Sequence, residues 1–345
     1  MKHWKKLLSL TLVLALVLAL AGCGGTDTQD TETEEQTQTE EQAEEPVTGE
    51  SYAIAALKGP TAMGLVKLMS EAESGADFIN DYTFTLAASA DEVSPLLMKG
   101  ELDMACVPAN LAAVLYQKTE GDIVTLAVNT LGVLYIVENG NAVQSMADLK
   151  GKTIVASGKG STPEYALRYL LSENGLDPDT DVTIDWKSEH SECVSALATG
   201  AATIAMLPQP FVTVAQSKIE GLRVALDLTE QWDALDNGSA LLTGVIVARR
   251  EVVEANPAAV DAFLKDYAGS VEWVNANTAD AAELIGSYDI VEAAVAEKAL
   301  PYCNIVCITG AEMKDKLSGY LQVLADADAS SVGGAMPGDD FYYGA

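Results

Sequence analysis

The chain has 345 residues, 49% of them hydrophobic, which suits more than one ordinary domain and excludes disorder throughout. Twenty Lys and Arg stand against 51 Asp and Glu, a formal charge of −31 that disfavours nucleic acid and charge-driven docking on anionic lipid. Two histidines, His3 and His190, leave little for histidine metal sites or histidine-dependent acid–base catalysis. In chain order, Lys2, Lys5 and Lys6 come first, followed by an apolar run over residues 10–21. Against the ~20 residues a bilayer-spanning helix needs, this run is short and reads as a signal-peptide core.

The run closes as Leu20-Ala21-Gly22-Cys23, which resembles the lipobox of bacterial lipoproteins. The resemblance implies that residues 1–22 are a signal peptide and that Cys23 becomes an acylated, palmitate-bearing N-terminus. Residues 23–50 carry ten acids and, after Thr26, no Lys, Arg or aromatic residue, the composition of a solvated tether. Residues 51–345 keep 17 basic and 41 acidic side chains and are acidic in their own right. Cys106, Cys193, Cys303 and Cys307 remain, with no Cys-x-x-Cys. Cys303 and Cys307 are open to pairing or to burial as free thiols, and no metal site is expected.

From residue 51 onward strand-like and helical runs alternate. Strands are expected at 52–57, 82–88, 104–107, 123–128, 152–156, 182–186, 204–207, 222–226 and 241–248, with amphipathic helices at 61–73, 163–174 and 256–275 among those between them. Alternation with short connections predicts α/β layers with mixed, mostly parallel sheets. Residues 92–118 and 192–218 echo each other at an offset of one hundred, with seven identities that include Gly100/Gly200 and Pro108/Pro208. An earlier pair, Gly59-Pro60-Thr61 and Gly160-Ser161-Thr162-Pro163, also follows a strand in each half. Two similar lobes are therefore expected, residues 51–136 plus 242–345 and residues 137–241. Two crossings, near 132–139 and 238–244, would form a hinge.

In open α/β sheets ligands lie beyond the carboxyl ends of strands, at the starts of the next helices. The candidate ligand residues are accordingly Gly59, Pro60, Thr61, Ala62 and Met63, then Pro108, Ala109 and Asn110, then Lys159, Ser161 and Thr162, and Gln209. Gly permits close backbone approach, the hydroxyls and amides supply donors, and free N–H groups at a helix start favour an oxygen ligand. For each loop alone, helix capping or turn chemistry is the plainer reading, and Lys159 reads equally well as solvent-exposed. Trp232 is open to stacking on a ligand or to packing. His190 lies in a polar run, 187–192, and is expected to face solvent. No P-loop, Gly-x-Ser-x-Gly or His-Glu-x-x-His occurs, so no catalytic residue, cofactor or enzyme activity is expected.

Lys58-Gly59-Pro60-Thr61-Ala62-Met63-Gly64, Asp227-Leu228-Thr229-Glu230-Gln231-Trp232, Asn256-Pro257 ahead of Phe263-Leu264, and Gly333-Gly334-Ala335-Met336-Pro337 resemble segments of ABC-importer substrate-binding proteins. The similar group is the nitrate/sulfonate/taurine one, which includes thiamine-precursor binders. The resemblance implies a type II periplasmic-binding fold, a small-molecule ligand held between the lobes, and delivery to an ABC permease with its ATPase. It also implies a monomer, lipid-anchored on the outer face of the cytoplasmic membrane, with ligand positions at 59–63, 108–110, 161–162 and 209. With no Arg before Arg249 in the first lobe, a small organic or weakly anionic nutrient is expected; a flat heterocycle such as a pyrimidine-type thiamine precursor is the alternative. Enzymes resembling menaquinone-pathway dehydratases share this fold, and a ligand sensor is a further alternative.

Overall fold

The computed structural model describes residues 47–345; the expected signal peptide, Cys23 and nearly all of the expected tether lie outside the described residues. The strands are β1 Ser51–Leu57, β2 Asp81–Ala87, β3 Met104–Pro108, β4 Ile123–Leu131, β5 Leu134–Glu138, β6 Thr153–Ser157, β7 Thr183–Lys187, β8 Ile204–Pro208, β9 Arg223–Asp227, β10 Leu242–Arg249 and β11 Ile305–Ile308. The helices are α1 Pro60–Met63, α2 Val66–Glu73, α3 Ala90–Met98, α4 Ala109–Lys118, α5 Thr162–Glu173, α6 His190–Ala198, α7 Phe211–Lys218, α8 Leu228–Asp233, α9 Arg250–Ala255, α10 Pro257–Ala276, α11 Thr278–Ser287, α12 Ala293–Ala299 and α13 Gly310–Ala327.

Burial pattern decides where each strand sits. β4 and β5 are buried along nearly their whole length and run inside their sheets, whereas β2 and β7 alternate between exposed and half-buried residues along most of their length and form edges. The first sheet has the order β11-β4-β10-β3-β1-β2 and the second β7-β6-β8-β5-β9. β2 and β3 run parallel to β1, while β10 is antiparallel to both β3 and β4. In the second sheet β7 and β8 run parallel to β6, and β5 is antiparallel to both β8 and β9. The expected two-lobed, mixed α/β architecture is the one observed. The chain leaves the first sheet at Leu131, enters the second at Leu134, and returns to the first at Leu242 after α8.

The hundred-residue echo is a structural repeat. α3–β3–α4 and α6–β8–α7 follow the same course, each helix ending in a left-handed glycine, Gly100 or Gly200, and each strand in a proline, Pro108 or Pro208. One apolar core continues from one sheet to the other through α4, α5, α8 and α13. A second core packs α2, α10, α11 and α12 on the outer face of the first sheet.

Three elements differ from expectation, the first being β5: residues expected only as part of a crossing near 132–139 form a strand paired antiparallel with β8 and β9. The helix expected over 61–73 is broken after Met63, because the buried Ser270 hydroxyl of α10 inserts there. It donates to the Gly64 carbonyl at 2.7 Å and accepts from the Leu68 amide at 3.1 Å, replacing local helical bonds. β11, only four residues long, is missed by periodicity and owes its place to antiparallel pairing with β4. All four described cysteines are free thiols, so Cys303 and Cys307 do not pair in this structure. Among the described residues no helix is long and apolar enough to cross a membrane, and no His/Cys/Asp/Glu group is arranged to hold a metal ion.

Candidate functional site

A cavity of about 370 Å³ lies between the two sheets, within the size range of small-molecule sites. The carboxyl ends of β3 and β8 meet there at Pro108 and Pro208, and the starts of α3, α5 and α6 converge on it from both lobes. The first N–H groups of each helix lack intrahelical acceptors and carry partial positive charge, so the convergence favours an oxyanion. Ser89, Ser94, Ser161, Thr162 and Thr243 line the same wall, with Leu57, Leu111, Val133 and Leu134 as its apolar part. The Thr243 Oγ1 atom is buried without a hydrogen-bond partner among the described residues, the condition of a group that a ligand or a water would satisfy.

The turn that opens the site needs glycine. Gly59 has φ 148° and ψ −159°, where an L side chain is strained, and it sends the backbone from β1 directly into Pro60 at the start of α1. Beneath it, a Cβ on Gly244 of β10 would lie 2.5 Å from both Asn129 Oδ1 and Thr61 Cγ2, so only glycine lets β10 pass that close under the cavity floor.

Of the residues expected to hold a ligand, Gly59, Pro60, Thr61, Pro108, Lys159, Ser161 and Thr162 line the cavity together. Ala62, Met63 and Ala109 do not; they are fully buried in the core, turned inward by the helical twist that follows each loop. Asn110 is also buried. Its Nδ2 donates to the Ser331 carbonyl at 3.1 Å and its Oδ1 accepts from Thr162 Oγ1 at 3.3 Å, so it joins the lobes behind the cavity. Gln209 lines a different hollow, with Tyr135 and Tyr302, and its Oε1 accepts from Thr213 Oγ1 at 2.9 Å. Trp232 packs rather than stacks on a ligand: its Nε1 donates to Ser239 Oγ at 3.0 Å, and Tyr169 and Tyr320 lie 4.8 and 5.5 Å from its ring.

Three parts of the site were missed from sequence, Thr243 of β10 among them. Ser89, Ala90 and Asp91 reach the cavity at the start of α3, which a capping box of Ser89 and Glu92 announces. His190, expected in solvent, is the first residue of α6 and lines the cavity. Its Nδ1 is hydrogen-bonded to the buried Ser157 Oγ at the end of β6, and its ring lies 4.9 Å from Phe211. Which of the two atoms donates depends on the ring's tautomer, and Ser157 also lies within hydrogen-bonding reach of the Cys193 thiol.

Burial pushes His190 down to about 4, below the ~6.5 of an unfolded chain. As pH falls, the unfolded chain therefore takes up the proton first. His190's contribution to stability is complete above about pH 6.5 and is lost progressively toward pH 4. An imidazole resonance assigned to His190 by its loss in His190→Gln is expected to titrate near 4. A midpoint near 6.5 would mean that the ring is in solvent.

The arginines stay away from this site. Arg168 pairs with Asp179, Arg223 with Glu138, Arg249 with Asp103 and Arg250 with Asp340. The cavity's side-chain cations are Lys58 and Lys159, and Asp91 is its acid.

Residues 80–269 match the family described as ABC transporter, phosphonate, periplasmic substrate-binding protein. No curated protein matches the chain. Among solved structures, an ABC transporter protein from Parabacteroides distasonis is similar at 21% identity and TM-score 0.71, over 85% of this chain and 98% of that one. The periplasmic aliphatic sulphonate binding protein SsuA from Escherichia coli is similar at 19% identity and TM-score 0.67, over 81% of this chain and 92% of that one. The periplasmic nitrate-binding protein NrtA from Synechocystis PCC 6803 is similar at 15% identity and TM-score 0.52, over 70% of this chain and 66% of that one. At these identities the structural likenesses establish the fold.

Proposed function

Because this chain belongs to the ABC transporter phosphonate periplasmic substrate-binding family, we propose that its interlobe cavity captures a small organic oxyanion, of the phosphonate or sulfonate type, for an ABC permease. The observation that carries this reading is the convergence of three helix starts from two lobes on one cavity lined with serines and threonines. The N–H groups, the hydroxyls and the neutral His190 would meet the anionic head, while Leu57, Leu111 and Leu134 would cover a short apolar body. Closure of residues 51–136 plus 242–345 onto residues 137–241 would then gain contacts that exist only with ligand between them. The site residues of this reading are Gly59, Pro60, Thr61, Ser89, Pro108, Lys159, Ser161, Thr162, His190 and Thr243. A flat heterocycle is less well supported, since among the described residues His190 is the sole aromatic ring on the cavity wall and Trp232 is committed to the core.

The leader supports a second part of the proposal: Cys23 carries lipid and residues 23–50 tether the binding domain, as a monomer, outside the cytoplasmic membrane. Native mass spectrometry of the membrane-extracted protein, incubated in turn with methylphosphonate, methanesulfonate and nitrate, tests both parts. The expected spectrum begins at an acylated Cys23 and retains the phosphonate or the sulfonate at micromolar concentration. Failure to retain any of the three at millimolar concentration overturns the oxyanion reading, and an unacylated N-terminus overturns the anchor.

A further inference from the structure

The two ammonium groups on the cavity wall are held differently. Lys159, on the loop before α5, has no ion-pair partner among the described residues. Lys58, on the turn between β1 and α1, reaches away to Asp289, with Nζ 2.8 Å from Oδ2. Asp289 follows α11 and takes the left-handed conformation at φ 53°. Its side chain is 96% exposed and that of Lys58 34%. A pair so open to water is weak, because solvent screens both charges and two flexible side chains must be held together. Inside the cavity, walls of Leu57, Leu111, Val133 and Leu134 lower the local dielectric, so the same ammonium attracts an anion more strongly there. The four arginines are all engaged elsewhere and do not take this part.

We propose that Lys58 is a specificity-determining residue of the cleft that exchanges Asp289 for the anionic head of the ligand, and that Asp289 competes with the ligand for it. This rests on the oxyanion reading above. The exchange favours doubly charged heads over singly charged ones. Both must displace the same carboxylate, but a dianion gains about twice the Coulomb attraction from Lys58. Asp289 itself lies outside the cavity lining, so its effect on binding runs through Lys58.

Calorimetric titration of the full chain with methylphosphonate, above its second ionisation, and with methanesulfonate tests the exchange. Asp289→Asn is expected to tighten methylphosphonate by about 3–10-fold, and Lys58→Met to weaken it by at least about 10-fold, with smaller changes for methanesulfonate. In the Lys58→Met background, Asp289→Asn is expected to change affinity by less than about 2-fold, since the two residues act as one pair. An undiminished gain from Asp289→Asn without Lys58, or unchanged affinity in Lys58→Met, overturns the exchange while the oxyanion reading stands. If neither anion binds the unaltered protein, the oxyanion reading fails and the exchange falls with it.

Discussion

Replacing Trp232 with alanine is expected to lower the folding free energy by about 3–5 kcal/mol and to leave ligand affinity within a few-fold of the starting value. The indole is 0% exposed, wedged between Tyr169 of α5 and Tyr320 of α13, and belongs to the core that runs from one sheet to the other. Truncation removes this burial and opens a cavity that close-packed neighbours refill only in part. The lost Nε1 bond adds less, because Ser239 Oγ keeps a 2.8 Å bond to Asn237. Urea unfolding should show a lower midpoint with little change in slope. A loss of affinity with stability intact would instead make Trp232 a ligand-stacking residue.

Asn110→Ala is expected to weaken binding by about 5–150-fold although Asn110 does not line the cavity. Asn110, Thr162, Tyr320 and Ser331 form a buried polar cluster between α4, α5, α13 and the segment after it, each at most 1% exposed. Two of its hydroxyls, Tyr320 Oη and Ser331 Oγ, already lack partners among the described residues. Removing the amide would leave the Thr162 hydroxyl and the Ser331 carbonyl unsatisfied as well, a cost of about 1–3 kcal/mol per buried group. On the proposed division into residues 51–136 plus 242–345 and residues 137–241, the Asn110–Thr162 bond crosses between lobes, so that cost would fall on the closed arrangement proposed to hold the ligand. Calorimetry should record the weaker binding, and small-angle scattering a larger radius at equal ligand. Unchanged affinity would remove the interlobe role. Weaker binding with unchanged compactness would make Asn110 a direct ligand contact.

Much of the architecture was legible along the chain because it rests on local rules. Apolar runs bounded by glycine and proline became β1, β3, β6 and β8, and the echo of residues 92–118 in 192–218 became the α3–β3–α4 and α6–β8–α7 repeat. The general location of the cavity was legible too, since the loops at Gly59 and Ser161 follow parallel strands and open helices. β11 was not legible, because four residues carry too little periodicity and their strand state depends on β4. The break after Met63 was not either, because Ser270, more than two hundred residues away, makes it.

The site divides along the same line. Sequence by itself determined the α/β alternation, the two-lobed repeat and the loops that approach the cleft, since each depends on residue type, spacing and the chirality of short connections. Tertiary structure alone decided which side chains on those loops reach the cavity. Successive residues of a helical turn diverge by about 100°, so within one loop Thr61 lines the cavity while Ala62 and Met63 enter the core. It also decided partners across the chain: His190 with Ser157, Asn110 with Thr162 and Lys58 with Asp289. Such pairings depend on how two sheets and their helices pack in space, and no local spacing encodes them.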